Sequence, residues 1–135
     1  MRTKHVLLIE DEPHIAEAIR FLLGRDGWRV RHLTEGADLV ARLAEQPVDV
    51  VVLDLMLPGR SGLEILADLR ANPSTAALPV LMLTARGQAR DREAAERAGA
   101  TGFLAKPFAN ADLVATLNAL LPPEVLDPAQ PGAAI

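Results

Sequence analysis

The chain has 135 residues, of which 50% are hydrophobic and 24% are charged, the balance of a soluble globular domain with room for a single core. It contains no cysteine, which excludes disulfides and thiol chemistry and suits a cytoplasmic protein. The net charge of −4 argues against nucleic acid as a direct partner, and the apolar run at residues 6–9 is too short for a signal peptide or a membrane span.

Short apolar runs alternate with segments of helical periodicity along most of the chain. The apolar runs predict strands, numbered in chain order, at 6–9, 28–33, 50–53, 80–83 and 102–105. The periodic segments predict helices at 13–23, 35–45, 61–71, 88–98 and 111–121. Thr34, Ser61 and Asn110 are the expected N-caps of the second, third and fifth helices, and Glu64 completes a capping-box pattern with Ser61.

Residues 122–135 carry proline, alanine and glycine with little periodicity, which is typical of a tail or linker. We therefore expect one folded domain over residues 1–121 and a tail or linker over residues 122–135.

Five strands that alternate with five helices are typical of the α/β class and predict a doubly wound, five-stranded parallel sheet of flavodoxin-like architecture. The strand order 2-1-3-4-5 is one of the two common solutions, and its switch point lies between strands 1 and 3. Glu10 and Asp11 follow strand 1, and Asp54 follows strand 3. Since neighbouring strands lie about 4.8 Å apart, these carboxylates are expected to converge where open α/β sheets hold their ligands.

Three acids at one sheet edge repel one another unless protons or a cation intervene. Oxygen ligands suit Mg²⁺, for which Mn²⁺ can substitute, so Glu10, Asp11 and Asp54 are candidate metal ligands. The alternative is that acids at strand ends are ordinary solvated loop residues.

Thr84 at the end of strand 4 and Lys106 at the end of strand 5 face the same crevice in this topology. A hydroxyl, an ammonium and a bound cation around one carboxylate form a cradle for a phosphoryl group, with Asp54 as the nucleophile that becomes an aspartyl phosphate. Taken singly, Thr84 is explained by the strand preference of β-branched residues and Lys106 by surface charge. Functional groups at four strand ends together favour a common site.

Four segments of the chain resemble the signature segments of the receiver domain of two-component response regulators, a chemotaxis-protein-like domain. They are IEDEP (Ile9–Pro13), DLMLPGRSG (Asp54–Gly62), LTA (Leu83–Ala85) and KPF (Lys106–Phe108). The resemblance extends from Lys4 to about Leu121. It implies that Asp54 receives a phosphoryl group from a sensor histidine kinase or a histidine phosphotransfer protein.

The resemblance also assigns roles around Asp54. It implies Mg²⁺ held by Asp11, Asp54 and the backbone carbonyl of Met56, with Glu10 close by. It implies a cis peptide bond at Lys106–Pro107, which is chemically reasonable because cis bonds occur mainly before proline. The lysine of that pair would neutralise phosphate oxygens.

The implied switch consists of Thr84, which moves to hydrogen-bond the phosphate, and Phe103, which turns inward behind it. A fixed core aromatic is the alternative for Phe103. The fourth helix offers only small side chains to the core, namely Ala94, Ala95 and Ala98. Its packing is therefore expected to be weak, which suits a moving element.

Met56 and Arg86, each two residues after a candidate site residue, resemble positions that tune the lifetime of the phosphate in this family. Arg86 is equally consistent with a solvated surface charge. His5, His14 and His32 are scattered without metal-ligand spacing, so we expect no metal or phosphotransfer role for them.

Two other function classes share parts of this pattern. A phosphatase with an aspartyl nucleophile and Mg²⁺ normally has a second acid two residues after the nucleophile, where this chain has Met56, and a substrate cap for which the chain has no spare residues. An interaction module that works without phosphorylation has no need of Asp54, Thr84 and Lys106. We therefore expect a phosphoacceptor rather than an enzyme with a separate substrate.

The resemblance leaves the output open between a downstream effector protein and a C-terminal output domain missing from this sequence. A phosphorylation-dependent dimer is compatible with the resemblance. However, the predicted helix at 111–121 has no Lys or Arg, and residues 100–102 include no acid. These absences argue against the charged dimer face of the winged-helix transcription-factor branch.

Overall fold

Strands and helices alternate along the chain in the computed structural model, which describes residues 3–57, 61–84 and 89–121. The strands are β1 (Lys4–Ile9), β2 (Trp28–Leu33), β3 (Val50–Asp54), β4 (Val80–Thr84) and β5 (Gly102–Ala105). The helices are α1 (Pro13–Arg25), α2 (Leu39–Glu45), α3 (Gly62–Ala71), α4 (Ala89–Ala98) and α5 (Asn110–Leu120). All strand pairs are parallel and their order is β2-β1-β3-β4-β5, which confirms the predicted doubly wound, flavodoxin-like sheet.

The apolar side chains of the sheet separate into two cores, one on each face, because successive residues of a strand point to opposite sides. The core against α1 and α5 contains Val6, Leu8, Ile19, Leu23, Val50, Val52, Leu113 and Leu117. The core against α2, α3 and α4 contains Leu7, Ile9, Leu39, Leu43, Val51, Leu53, Ile65, Leu66, Leu69 and Ala95. Burial on both faces explains why the central strands are continuous apolar runs in the sequence.

Several strands and one helix are longer than predicted, mainly because they include polar residues at their ends. The predicted limits of β2 and β5 are confirmed. Strand β1 begins earlier, because Lys4 pairs with Trp28, and β3 and β4 extend by one residue to include Asp54 and Thr84. Helix α1 continues to Arg25, two residues beyond its predicted end.

The predicted N-caps of α3 and α5 can be compared directly with the structure. The Ser61 hydroxyl accepts a hydrogen bond from the Glu64 N–H at 3.3 Å, which confirms the predicted cap of α3. The prediction that Asn110 caps α5 is wrong. The carbonyl of Ala109 already accepts the N–H groups of the first turn, so Asn110 is the first residue inside the helix.

The predicted start of α2 is also wrong, since the helix begins at Leu39 and not near residue 35, and Thr34 does not cap it. Gly36 is buried and lies so close to the Ile65 side chain of α3 that a Cβ atom there would collide with it. Residues 34–38 are non-helical, and Gly36 among them lies against α3. This segment ends at Asp38, which has a left-handed φ of 56° and makes no side-chain cap bond.

The C-terminal end of α4 is fixed by Arg70, whose side chain extends from α3. The Arg70 guanidinium donates hydrogen bonds to the carbonyl of Gly99 at 2.8 Å, to the carbonyl of Thr75 at 3.1 Å and to the hydroxyl of Thr101 at 3.3 Å. Ala95 of α4 is fully buried and has no large apolar neighbour on the same helix among the described side chains. The described inner face of this helix thus consists of small side chains, as the sequence indicates.

No helix in the described ranges is long and apolar enough to cross a membrane.

Gly62 is expected to be essential for the close approach of α3 to the end of β3. A Cβ atom at Gly62 would overlap the Asp54 carbonyl oxygen and lie 2.9 Å from the Leu55 Cα, both of which are backbone atoms. We expect Gly62→Ala to lower the free energy of unfolding by about 1–3 kcal/mol, the usual cost of overpacking. Chemical denaturation measures this loss.

Gly24→Ala is the matched control, because Gly24 lies in α1 with no atom within 4 Å of the added methyl group. Alanine favours a helix over glycine by roughly 0.5–1 kcal/mol, so this variant should be at least as stable as the wild type. Equal effects of the two substitutions would contradict the steric explanation.

Candidate functional site

The ends of β1 and β3 bring three acids together. Ile9 pairs with Leu53, so the residues that follow them, Glu10 and Asp54, lie side by side. One carboxylate oxygen from each of Glu10, Asp11 and Asp54 lies within 4.8 Å of the others. Glu10 is 0% exposed and Asp54 is 4% exposed, whereas Asp11 is open to solvent. The convergence predicted from the strand order is present in the structure.

The Lys106 ammonium, at the end of β5, bridges two of these acids. Its Nζ donates hydrogen bonds to Glu10 Oε1 at 2.8 Å and to Asp54 Oδ2 at 3.0 Å. Burial alone would lower the pKa of Lys106, but the hydrogen bonds to Glu10 and Asp54 outweigh it and raise the pKa. Lys106 therefore carries its positive charge at neutral pH, and it is not merely a surface charge.

The hydrogen bonds that Glu10 accepts do not fully offset the cost of burying its charge. Burial, followed by a hydrogen bond to the Asp54 carboxyl group, raises the pKa of Glu10 to about 7, although Lys106 and the Glu12 N–H oppose the shift. The cluster brings together three carboxyl groups, and Lys106 pairs with two of them, Glu10 and Asp54. The cluster therefore holds more negative charge than the protein neutralises.

The donor set of the cluster fits a magnesium ion. Its three potential ligands are all carboxylate oxygens, the hard donors that Mg²⁺ and Mn²⁺ prefer. Asp11 lies at the solvent side, which leaves room for the water ligands that Mg²⁺ usually retains. The residues present could hold such an ion, and its positive charge would balance the cluster.

The Met56 backbone contacts Asp54, and Thr84 ends the neighbouring strand β4. The Met56 N–H donates to Asp54 Oδ1 at 3.1 Å, while the Met56 side chain is 71% exposed. Thr84 is buried at the end of β4, where its carbonyl accepts the Lys106 N–H at 2.6 Å. The backbone of Met56 is thus part of the site, and its role in binding metal stays a prediction, as does the role of the Thr84 hydroxyl.

Phe103 is partly buried on β5 and faces α4, where the Arg92 guanidinium lies 6.0 Å from the centre of its ring. This position is compatible with a fixed core aromatic and with a moving one. The predicted cis bond at Lys106–Pro107 is present. Arg86 and the tail at 122–135 lie outside the described residues.

His32 contacts the site although the sequence gave no reason to expect it. Its Nε2 lies 2.8 Å from the backbone carbonyl oxygen of Glu10. Strand register is the signal that could have found it, because His32 is one residue from the end of β2 and β2 pairs with β1 up to Ile9. The scattered positions of the three histidines in the sequence hide this proximity.

The sheet order and the charged groups at its switch point define the class of the protein, a flavodoxin-like α/β domain with an acidic site at the carboxyl edge of its strands. The chain belongs to the response regulator receiver domain family, which it matches over residues 6–118. This match confirms the family indicated by the four sequence segments.

Individual proteins agree with the family assignment. The phosphate regulon transcriptional regulatory protein PhoB of Rhizobium meliloti is 38% identical over 124 residues, which cover 90% of this chain and 55% of that protein. The chemotaxis protein CheY4 of Vibrio cholerae has a TM-score of 0.83 at 28% identity, with 89% of this chain and 100% of that chain covered. The chain spans about half the length of the curated relatives it matches.

A third similar protein is the receiver domain of the sensor histidine kinase PA1611 from Pseudomonas aeruginosa PAO1. Its TM-score is 0.80 at 31% identity, and the match covers 88% of this chain and 98% of that chain. The crystal structure of that receiver domain has a magnesium ion coordinated in the active site cleft.

The raised pKa of Glu10 predicts a pH dependence of stability in the absence of divalent cations. The unfolded chain loses the Glu10 proton near pH 4.5, whereas the folded protein holds it to about pH 7. The folded state therefore binds more protons in this range, and the free energy of unfolding should fall as the pH rises from 4.5 through about 7. One pKa unit corresponds to about 1.4 kcal/mol, so urea denaturation in EDTA can detect the effect.

Glu10→Gln should flatten this part of the pH profile relative to the wild type, because the amide does not titrate. Glu45→Gln, which changes an exposed acid at the end of α2, is the control and should leave the profile unchanged. Parallel profiles for the wild type and Glu10→Gln would show that Glu10 does not titrate as described.

Proposed function

We propose that the chain is a phospho-accepting receiver in two-component signal transduction, in which Asp54 takes a phosphoryl group from a histidine kinase or a histidine phosphotransfer protein in a Mg²⁺-dependent reaction. The observation that carries the proposal is the position of Asp54. It is a nearly buried carboxylate that is hydrogen-bonded to Lys106 and lies within 4.8 Å of two further acids. Membership of the receiver family supports the same role.

The proposed reaction is a transfer to an oxygen atom of Asp54. A carboxylate oxygen attacks phosphorus, the P–N bond of the donor phosphohistidine breaks, and its electron pair remains on the imidazole nitrogen. The product is a mixed anhydride between phosphate and the Asp54 carboxyl group. Later attack by water on phosphorus releases inorganic phosphate and restores the carboxylate, so the protein modifies itself and is not an enzyme with a separate substrate.

The residues around Asp54 suit a group that gains negative charge. Lys106 Nζ is 3.0 Å from Asp54 Oδ2, a position from which it can pair with a phosphoryl oxygen. A magnesium ion bound by Glu10, Asp11, Asp54 and the Met56 carbonyl would neutralise further charge on the phosphoryl group. The magnesium ion in the similar receiver domain of PA1611 supports this choice of metal.

The proposed switch connects the phosphoryl group to α4 through Thr84 and Phe103. Thr84 ends the strand next to Asp54, and Phe103 lies on the following strand with Arg92 of α4 over its ring. A hydrogen bond from the Thr84 hydroxyl to the phosphoryl group would bias a two-state equilibrium that Phe103 and α4 share.

Partner binding is the proposed output of this cytoplasmic switch. PhoB of Rhizobium meliloti is a transcriptional regulator, and this chain covers 55% of it. The uncovered part of that relative supports an output domain elsewhere in the protein, and a separate effector protein is the alternative output. A dimer that forms on phosphorylation is compatible with either.

Phosphorylation by a small donor tests the proposal directly. Incubation with acetyl phosphate and Mg²⁺ should add a single phosphoryl group, detected by intact-protein mass spectrometry. EDTA should prevent the reaction, because the acidic cluster would lose its cation. Asp54→Asn should abolish it, because the amide oxygen is not nucleophilic enough to form the anhydride.

Asp112→Asn is the control, since Asp112 is an exposed acid in the first turn of α5. It should be phosphorylated like the wild type. The proposed function would be wrong if neither acetyl phosphate nor a phosphohistidine donor modified the wild type, or if the modification persisted in Asp54→Asn.

A further inference from the structure

The peptide bond between Glu10 and Asp11 joins two of the three acids, and a side chain from the neighbouring strand holds its carbonyl group. His32 of β2 lies with Nε2 2.8 Å from the Glu10 carbonyl oxygen in a partly buried contact. A carbonyl oxygen can only accept a hydrogen bond, so Nε2 is the protonated nitrogen in this contact. The imidazole therefore donates to the backbone of the acidic pair.

This bond extends the contact between β1 and β2 to Glu10, one residue beyond the end of β1. The Glu10 N–H donates to the Leu33 carbonyl at 3.0 Å, and the Glu10 carbonyl accepts from His32. The carboxylate of Glu10 also accepts the Glu12 N–H at 3.1 Å. Glu10 is thus held at its N–H, its carbonyl and its side chain, and β2 provides the contacts of both backbone groups.

The position of Asp11 depends on the same carbonyl. A peptide unit is planar, so fixing the Glu10 carbonyl oxygen also fixes the direction in which the Asp11 Cα leaves the sheet. Asp11 lies between β1 and α1 and its side chain is exposed, so neither a strand nor a core contact orients it. A rotation of this peptide would move the Asp11 carboxylate out of the cluster in which the three acids lie within 4.8 Å.

We propose that His32 is a positioning residue for the cation site, because its hydrogen bond to the Glu10 carbonyl orients the peptide that carries Glu10 and Asp11. The inference rests on the proposed function, since it requires the acidic cluster to bind a divalent cation. The competing explanation is that His32 only fills space at the edge of the sheet. In that case its loss would lower stability without a specific effect on the affinity for the cation.

The test compares Mg²⁺ binding by isothermal titration calorimetry with unfolding in EDTA for substitutions of His32. His32→Leu has a side chain of similar bulk that cannot donate a hydrogen bond. It should weaken Mg²⁺ binding about tenfold or more, as loss of an orienting hydrogen bond around metal ligands typically does. His32→Gln places an amide N–H at nearly the same reach and should recover most of the affinity. His5→Leu, which removes an exposed imidazole from β1, should bind like the wild type.

His32→Asn is the second variant in case the leucine variant fails to fold. Its amide lies one carbon closer to the backbone than that of glutamine, so it remains polar but falls short of the carbonyl, and it should bind Mg²⁺ as weakly as the leucine variant is expected to. Wild-type affinity in the folded leucine or asparagine variant, or equal losses with glutamine and asparagine, would overturn the role of His32. A wild-type chain that does not bind Mg²⁺ would instead overturn the proposed function, and the inference with it.

Discussion

The ammonium group of Lys106 is the contact on which the site depends, because it pairs with two carboxylates that are almost completely removed from water. Glu10 and Lys106 are 96 residues apart in the sequence, and Asp54 and Lys106 are 52 apart. The charged cluster can therefore form only when β1, β3 and β5 have assembled into one sheet. Removal of one partner from a buried ion pair typically lowers stability by about 3–5 kcal/mol. The cluster is therefore important for the stability of the fold as well as for the chemistry of the site.

The sheet can hold such a cluster because the packing of its aliphatic side chains does not depend on the charged groups. Strands β1, β3 and β4 are buried on both faces by large aliphatic side chains, and their polar ends all emerge at the same edge. The close approach at Gly62 brings the start of α3 against the carbonyl of Asp54, so the chain after β3 is also fixed near the site. The cluster still has more carboxyl groups than ammonium groups, and the raised pKa of Glu10 is the measurable consequence.

The strand order and the meeting of Glu10, Asp11, Asp54 and Lys106 could be predicted from the sequence, because parallel topology places every strand end at one edge. Strand limits could be predicted less well, because strand pairing continues through polar residues such as Asp54, where the apolar pattern has already ended. The start of α2 could not be predicted locally, because the residues before it contact another helix, where Gly36 lies against Ile65. The two bonds of Lys106 and the bond of His32 depend on register and side-chain conformation, which one-dimensional spacing does not contain.

Helix α4 is the element whose rearrangement would cost the least apolar burial. Among its described side chains Ala95 is the fully buried one, while Arg70 ties its C-terminal end to α3 through Gly99 and Arg92 covers Phe103. A hydrogen bond contributes about 1 kcal/mol net and an exposed cation–π contact about 0.5–1 kcal/mol, and water replaces part of each when it breaks. The free energy lost when these contacts break is comparable with the free energy that a new phosphoryl group can gain through one to three charge-assisted hydrogen bonds. The small inner face of α4 therefore contributes little to the stability of the fold, and for the same reason it suits the moving part of the proposed switch.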